Sequence, residues 1–256
     1  MYKKKSLGQH FLKNPYYLGL VADAAEIKRD ELVIEVGPGD GALTAVLLER
    51  GAHVTAIEKD ARLIPLLRKR FAGQALKVIE QDALLFDPPA TPYKVVGNIP
   101  YYITGALLKK FLSGEHQPST LVFLVQKEVA ERIARHGPTN KKGKESILSL
   151  SVKAYGTPEY IKTVPRGAFA PAPKVDSAIV AVTNISRKNF DSAAREGRFF
   201  ELVKKGFSSK RKLLLNNLGK EYSEILKNAG VSPKTRAEDV PLSLWLALAA
   251  SRVHDR

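Results

Sequence analysis

Leu32-Val33-Ile34-Glu35-Val36-Gly37-Pro38-Gly39-Asp40-Gly41 is the stretch on which the fold turns. Five mostly apolar residues run into a glycine-rich turn, the pattern of a buried parallel strand that ends abruptly. Apolar residues at helical spacing follow from Ala42 to Arg50, and Gly51 stops them. The alternation then repeats. Strands are expected at His53–Ile57, Leu76–Ile79, Val95–Val96 and Thr120–Val125. Helices are expected at Arg62–Phe71, Thr104–Leu112 and Gln126–Arg135. Strand and helix alternating at crossover length imply an α/β fold with a mostly parallel, doubly wound sheet. Ligands bind such sheets beyond the carboxyl ends of the strands. Gly37, Glu58, Asp82 and Asn98 all fall at such ends, so four positions far apart in sequence are expected to share one rim.

Further along, His136–Glu145 is polar and basic and reads as a loop. Val164–Thr183 holds prolines followed by the alternating run Ser177–Val182, a loop feeding a late strand. From Arg195 onward the periodicity is helical. Charge also shifts near residue 184. Residues 1–183 carry a net +8, and residues 184–256 carry +7 in far less length. Two domains are therefore expected: 1–183, binding a cofactor and doing the chemistry, and 184–256, a small basic all-α domain.

The formal net charge of the 256 residues is +15. A polyanion would be favoured as partner, because each neutralised phosphate releases counterions. The absence of cysteine excludes disulfides and thiolate chemistry, and agrees with a cytoplasmic location. No apolar run is long enough for a membrane span, and no signal peptide follows the basic start. The five histidines show no ligand spacing, so no metal is expected.

Gly37 and Gly39 allow a sharp turn and close approach of a ligand to the backbone. Glu58, 21 residues beyond Gly37, can accept both ribose hydroxyls of a bound nucleoside. Gly37-x-Gly39-x-x-Ala42 also fits the loose dinucleotide pattern, so a nicotinamide cofactor stays open at this point. Two acidic residues favour S-adenosylmethionine. Glu35 stands where a carboxylate could lie near the methionine end, and Asp82 where it could accept from the adenine amine or merely cap its strand.

Asn98-Ile99-Pro100-Tyr101 does most to decide. The amine of a base is a poor nucleophile, because its lone pair is delocalised. Two acceptors placed on its N–H groups favour the pyramidal form that can attack. Asn98 offers a side-chain carbonyl and Ile99 a backbone carbonyl. Pro100 fixes the chain between them and Tyr101, and Tyr101 offers a face on which a flipped base can stack. Attack on the sulfonium methyl is then mostly alignment. Nothing comparable suggests hydride chemistry.

The sequence resembles the bacterial KsgA-type 16S rRNA adenine dimethyltransferases nearly end to end. The resemblance runs through Gln9-His10-Phe11-Leu12, Glu35–Gly39, Glu58, Gln81-Asp82-Ala83 and Asn98–Tyr101. It continues through Val125–Ala130, Phe169–Ala178, Ser209–Lys212, Ala229–Val231 and Arg236–Glu238. It implies a Rossmann-like class I methyltransferase with S-adenosylmethionine contacts at His10, Leu12, Gly37, Glu58, Asp82 and Asn98. The motif around Asp82 adds Ala83. His10 stands where other members carry Asn. Phe169 is implied to stack on the target adenine opposite Tyr101. From the residues alone, that ring among glycine, alanines and prolines reads rather as a core plug. The implied reaction places two methyl groups on each of two adjacent adenosines in the 3′-terminal hairpin of 16S rRNA. It takes place in the small (30S) ribosomal subunit late in biogenesis, and the enzyme is expected to be monomeric.

Candidate phosphate contacts are Lys141, Lys142 and Lys144 together with Lys210, Arg211 and Lys212. Lys3–Lys5 form a further basic run, and each of these clusters could instead be a solvated face. Two other functions share parts of this pattern. One is the large-subunit rRNA methyltransferases of the antibiotic-resistance type. The other is a ribosome assembly factor whose catalysis is dispensable.

Overall fold

The apolar run at Leu32 lies in the middle of a seven-stranded sheet. The computed structural model describes residues 10–134 and 144–251. They divide into two compact units, Met1–Ala130 with Thr157–Ile185, and Glu131–Gly156 with Ser186–Arg256. The second unit thus takes in residues 131–156, which the sequence had assigned to the first domain. The charge shift near 184 coincides with one crossing of the chain between units but gives no sign of the earlier excursion.

In chain order the first unit contains β1 (Phe11–Leu12), α1 (Pro15–Ala24), β2 (Leu32–Val36), α2 (Ala42–Glu49), β3 (His53–Glu58), α3 (Ile64–Arg70) and β4 (Leu76–Glu80). β5 (Lys94–Asn98), α4 (Thr104–Ser113), β6 (Thr120–Gln126) and the start of α5 (Lys127–Ala134) follow. The second unit takes the end of α5 and then α6 (Ile147–Lys153). The first resumes with β7 (Thr157–Val164), β8 (Phe169–Ala170) and β9 (Ser177–Thr183). The sheet order is β4-β3-β2-β5-β6-β9-β7. The five strands from β4 to β6 pair in parallel, and β9 is antiparallel to both β6 and β7. This is the mostly parallel α/β sheet expected of a class I methyltransferase.

The chain winds outward from β2 through β3 to β4, then crosses back to β5 on the other side of β2. The order of connection reverses there, which opens a crevice at the carboxyl ends of β2 and β5. Val36 is in register with Gly97, so the turn at Gly37 and the tetrad at Asn98 leave the sheet side by side. Gly97 is required by this closeness. A Cβ there would sit 2.8 Å from the Val36 carbonyl oxygen and 3.0 Å from a methyl carbon of Ile99. Gly97→Ala is expected to destabilise by about 1–3 kcal/mol through overpacking. Thermal melting checks it, at about 2–4 °C of Tm per kcal/mol for a chain of this size.

A separate pair, β1 with β8, is antiparallel, with Leu12 opposite Phe169. Its buried residues join a core that also holds Leu18, Val21, Val33, Leu47, Val96 and Ile179. In the second unit α7 (Ala193–Gly206) packs on α6, α8 (Leu214–Leu218) and α10 (Leu242–Ala250). α9 (Ser223–Asn228) follows α8. Trp245 is fully buried in this unit, against a glycine, Gly206, whose missing side chain leaves room for the indole.

Candidate active site

The crevice is a cleft open to solvent. Its walls bring together His10, Leu12, Glu35, Gly37, Gly39, Glu58, Asp82, Ala83 and the whole tetrad Asn98–Tyr101. Every cofactor residue expected from the sequence is therefore on this one surface, and of the catalytic set only Phe169 is elsewhere.

The turn after β2 is built by left-handed glycines, with φ of +69° at Gly37 and +60° at Gly39. The Phe11 ring lies directly over Gly39, where a Cβ would come within 2.6 Å of it. β1 thereby covers the glycine turn, and Lys13 next to it is ion-paired with Asp40. Glu58 ends β3 and turns back toward the same turn. Its carboxylate accepts from the Gly39 N–H at 3.2 Å and from the Asp60 N–H at 2.8 Å. Burial pushes its carboxyl above the usual range, against the pull of those hydrogen bonds. Glu35 is only 1 % exposed and accepts from the Thr44 hydroxyl of α2 at 2.6 Å. Burial, reinforced by the nearby charge of Glu58, raises its carboxyl to about 7.

Two buried carboxylates thus face one cleft, and among the described residues neither is ion-paired with a cation. A ligand fits here if it carries its own positive charge and hydroxyl donors. S-adenosylmethionine has both, in its sulfonium and ammonium groups and its ribose. Glu58 would hold the ribose, and Glu35 would lie toward the ammonium end.

The raised Glu35 value has a consequence for stability. The unfolded carboxyl ionises near 4.5 and the folded one near 7. The acid form is favoured by folding, so stability is full below pH 4.5 and declines as pH rises to about 7. Glu35→Gln is expected to flatten that decline. Thermal melts at pH 5 and pH 8 would show a smaller Tm difference in the variant, and an unchanged difference would refute the assignment.

Asp82, after β4, accepts from Lys59 at 2.7 Å and from the Leu84 N–H at 3.0 Å. The Lys59 bond is the main cause holding its carboxyl below the ordinary value. Part of the strand-cap reading is thereby realised. Lys59 is exposed, however, and an exposed pair of this kind is weak enough for an adenine amine to compete.

Asn98 is the best-defined group in the cleft. Its Nδ2 donates to the His10 carbonyl at 2.8 Å. A carbonyl can only accept, so the amide has one chemically sensible orientation, with Oδ1 left as the acceptor. The His10 ring in turn hydrogen-bonds the Pro171 carbonyl through Nδ1 at 2.9 Å and lies 6.4 Å from the Tyr101 ring. The Tyr101 hydroxyl meets the Ser177 hydroxyl at 2.7 Å, and burial pushes its phenol upward, so it stays neutral. Tyr101 is a fixed flat surface and not a base.

Phe169 is not in the cleft wall. It is 5 % exposed and packed in the core, opposite Leu12 across β1 and β8. The core-plug alternative describes it here, because an apolar ring on a strand covered by β1 is better buried than left at the rim. Thr44, Lys59, Phe11 and Ser177 had no role assigned from sequence. Each acts on a predicted residue through one contact across the fold, and no local spacing signals such a contact.

Lys210, Arg211 and Lys212 are exposed on the second unit. The buried Asn217 donates to the carbonyls of Gly206 at 2.6 Å and Ser209 at 3.0 Å, fixing the loop that carries them. Lys144 is ion-paired with Glu238, which offsets its charge. Lys141, Lys142 and Lys3–Lys5 lie outside the described residues. Among the described residues no cluster of metal-ligating side chains occurs, and no helix is long and apolar enough to cross a membrane.

A mostly parallel sheet with its cleft at the switch point, two buried carboxylates facing that cleft, and an oriented Asn98 beside Tyr101 fit an S-adenosylmethionine-dependent methyltransferase acting on the amine of a base. The chain belongs to the ribosomal RNA adenine dimethylase family, whose model it matches over residues 1–252. Curated relatives named ribosomal RNA small subunit methyltransferase A include those of Deinococcus radiodurans and Dehalococcoides mccartyi strain CBDB1. The first is 42 % identical over 96 % of this chain and 85 % of its own. The second is 41 % identical over 96 % and 87 %. Among solved structures, the 23S rRNA methyltransferase ErmE superposes with a TM-score of 0.77 at 30 % identity, covering 93 % of this chain and 98 % of its own. A dimethyladenosine transferase from Plasmodium falciparum gives 0.75 at 30 % identity, covering 93 % and 96 %.

Proposed function

We propose that the protein dimethylates the exocyclic amines of two adjacent adenosines in the 3′-terminal hairpin of 16S rRNA, within the small ribosomal subunit late in its assembly, acting as a monomer. The observation that carries this reading is the orientation of Asn98, whose Oδ1 is the acceptor beside Tyr101 in a cleft suited to a cationic nucleoside. S-adenosylmethionine, when bound, supplies an electrophilic methyl group on its sulfonium sulfur. Asn98 Oδ1 and the Ile99 carbonyl accept the two amine N–H groups and free the lone pair. Pro100 sets the path of the chain, and Tyr101, tethered by Ser177, takes the base on its face. Phe169 would take the opposite face in the RNA-bound state, once its ring leaves the β1–β8 core. The methylated nitrogen then gives up one proton to solvent, one N–H remains, and the same acceptors can hold it for the second transfer.

The small subunit is preferred because relatives above 40 % identity carry that name, while ErmE, whose title names 23S rRNA, is 30 % identical. Lys210, Arg211 and Lys212 are the phosphate contacts we assign to the second unit. Incubation with labelled S-adenosylmethionine and separated, unmodified subunits is expected to label the small subunit. Label on the large subunit alone would overturn this function.

A further inference from the structure

We propose that Tyr102 is a second stacking platform, holding the nucleobase that flanks the target adenosine; this rests on the reading of the tetrad as an adenosine-methylating site. Tyr102 lines the cleft directly after the tetrad, yet its side chain is 71 % exposed. Among the described residues it has no hydrogen-bond or ring partner, although Tyr101 beside it is tethered by Ser177. Among the described residues the other exposed large apolar side chains are Tyr16, Leu66, Leu85, Ile147 and Val175, and none of them lines the cleft.

Exposing an aromatic ring in water has no benefit for the fold, and this one is not free to swing away with its backbone. It sits in the single turn Tyr101–Ile103, closed by the Ile103 N–H donating to the Pro100 carbonyl at 3.2 Å. The ring's attachment point is therefore set, one residue beyond the face that takes the flipped base. A base drawn out of its strand leaves its neighbour unstacked on one side. An aromatic ring anchored at the cleft mouth can replace that lost stacking, and every base has a face to offer. Where the substrate has two target adenosines in a row, the flanking base is the other target, so Tyr102 would hold one while the first is modified.

The test uses the full chain, small subunits lacking the modification, and S-adenosylmethionine. Tyr102→Ala is expected to raise KM for the subunit about tenfold, the loss of one stacked base. Its Kd for S-adenosylmethionine and its Tm should stay at the wild-type values, since the ring supports neither the cofactor nor the core. Tyr102→Phe should recover the wild-type KM, whereas Tyr102→Leu, apolar but not aromatic, should not. An unchanged KM in Tyr102→Ala overturns the platform while leaving the methylation reading intact. So does a leucine variant as good as phenylalanine, or a rise in Kd for the cofactor. Failure of the wild-type protein to methylate small subunits overturns both.

Discussion

Asn98→Ala is expected to lower the rate of methyl transfer by about 10²–10³-fold, the usual cost of removing one preorganised hydrogen-bonding group aimed at the reacting atoms. The variant loses the acceptor that favours the pyramidal amine. It also loses the donor that ties the tetrad to the His10 carbonyl at 2.8 Å. Asn98→Asp separates the two effects. It keeps acceptors in the cleft but places a carboxylate oxygen against the His10 carbonyl, where both groups can only accept. Both variants should be slow, with Asp losing its tether and Ala losing tether and acceptor. Binding to small subunits, read by co-sedimentation, should remain near wild type in both, because the phosphate contacts proposed here lie on the second unit. A fall in kcat with unchanged subunit binding marks an interaction made in the transition state. A wild-type rate in Asn98→Ala would end the tetrad mechanism.

Sequence periodicity located the parallel half of the sheet well, because β2, β3, β5 and β6 are buried and read as apolar runs. It missed β7, and the reason is physical. β7 is an edge strand carrying Pro158, Glu159 and Lys162, with most positions partly or wholly exposed. A half-exposed edge has no apolar run to detect, and proline is tolerated there because one side of the strand need not donate. α1 was missed although its signal was present: Asn14 caps the Tyr16 N–H and Pro15 opens the helix. The cofactor residues were legible because strand ends in a doubly wound sheet converge by topology, so Gly37, Glu58, Asp82 and Asn98 could be placed together without a contact map. Phe169 was the opposite case. Its family role and its packing in this structure point to different places, since a motif records what a residue does with substrate and burial records where it rests without one. The contacts that hold the site, Thr44 on Glu35 and Ser177 on Tyr101, join residues 9 and 76 positions apart and obey no local period.

Glu58→Ala should weaken cofactor binding by about 100-fold or more, since each hydrogen bond to a charged group is worth about 1.5–3 kcal/mol and two ribose hydroxyls are at stake. Isothermal titration with S-adenosylhomocysteine measures it without turnover. Stability should not follow affinity. Burial has pushed the Glu58 carboxyl upward, so folding disfavours its charged form. Removing it relieves that cost and offsets the loss of partners for the Gly39 and Asp60 N–H groups. The Tm of the ligand-free variant at neutral pH should therefore stay close to wild type, while the Tm gain on adding the ligand shrinks with the affinity. Glu58→Gln should fall between wild type and Ala, because one amide oxygen cannot accept from the two backbone donors and the ribose, and its NH₂ group is turned toward donors. A large fall in ligand-free Tm with an unchanged Kd would reverse the assignment and make Glu58 a structural clamp on the Gly39 turn. The expected pattern is that of a carboxylate retained in the cleft for its ligand, at the expense of the empty fold.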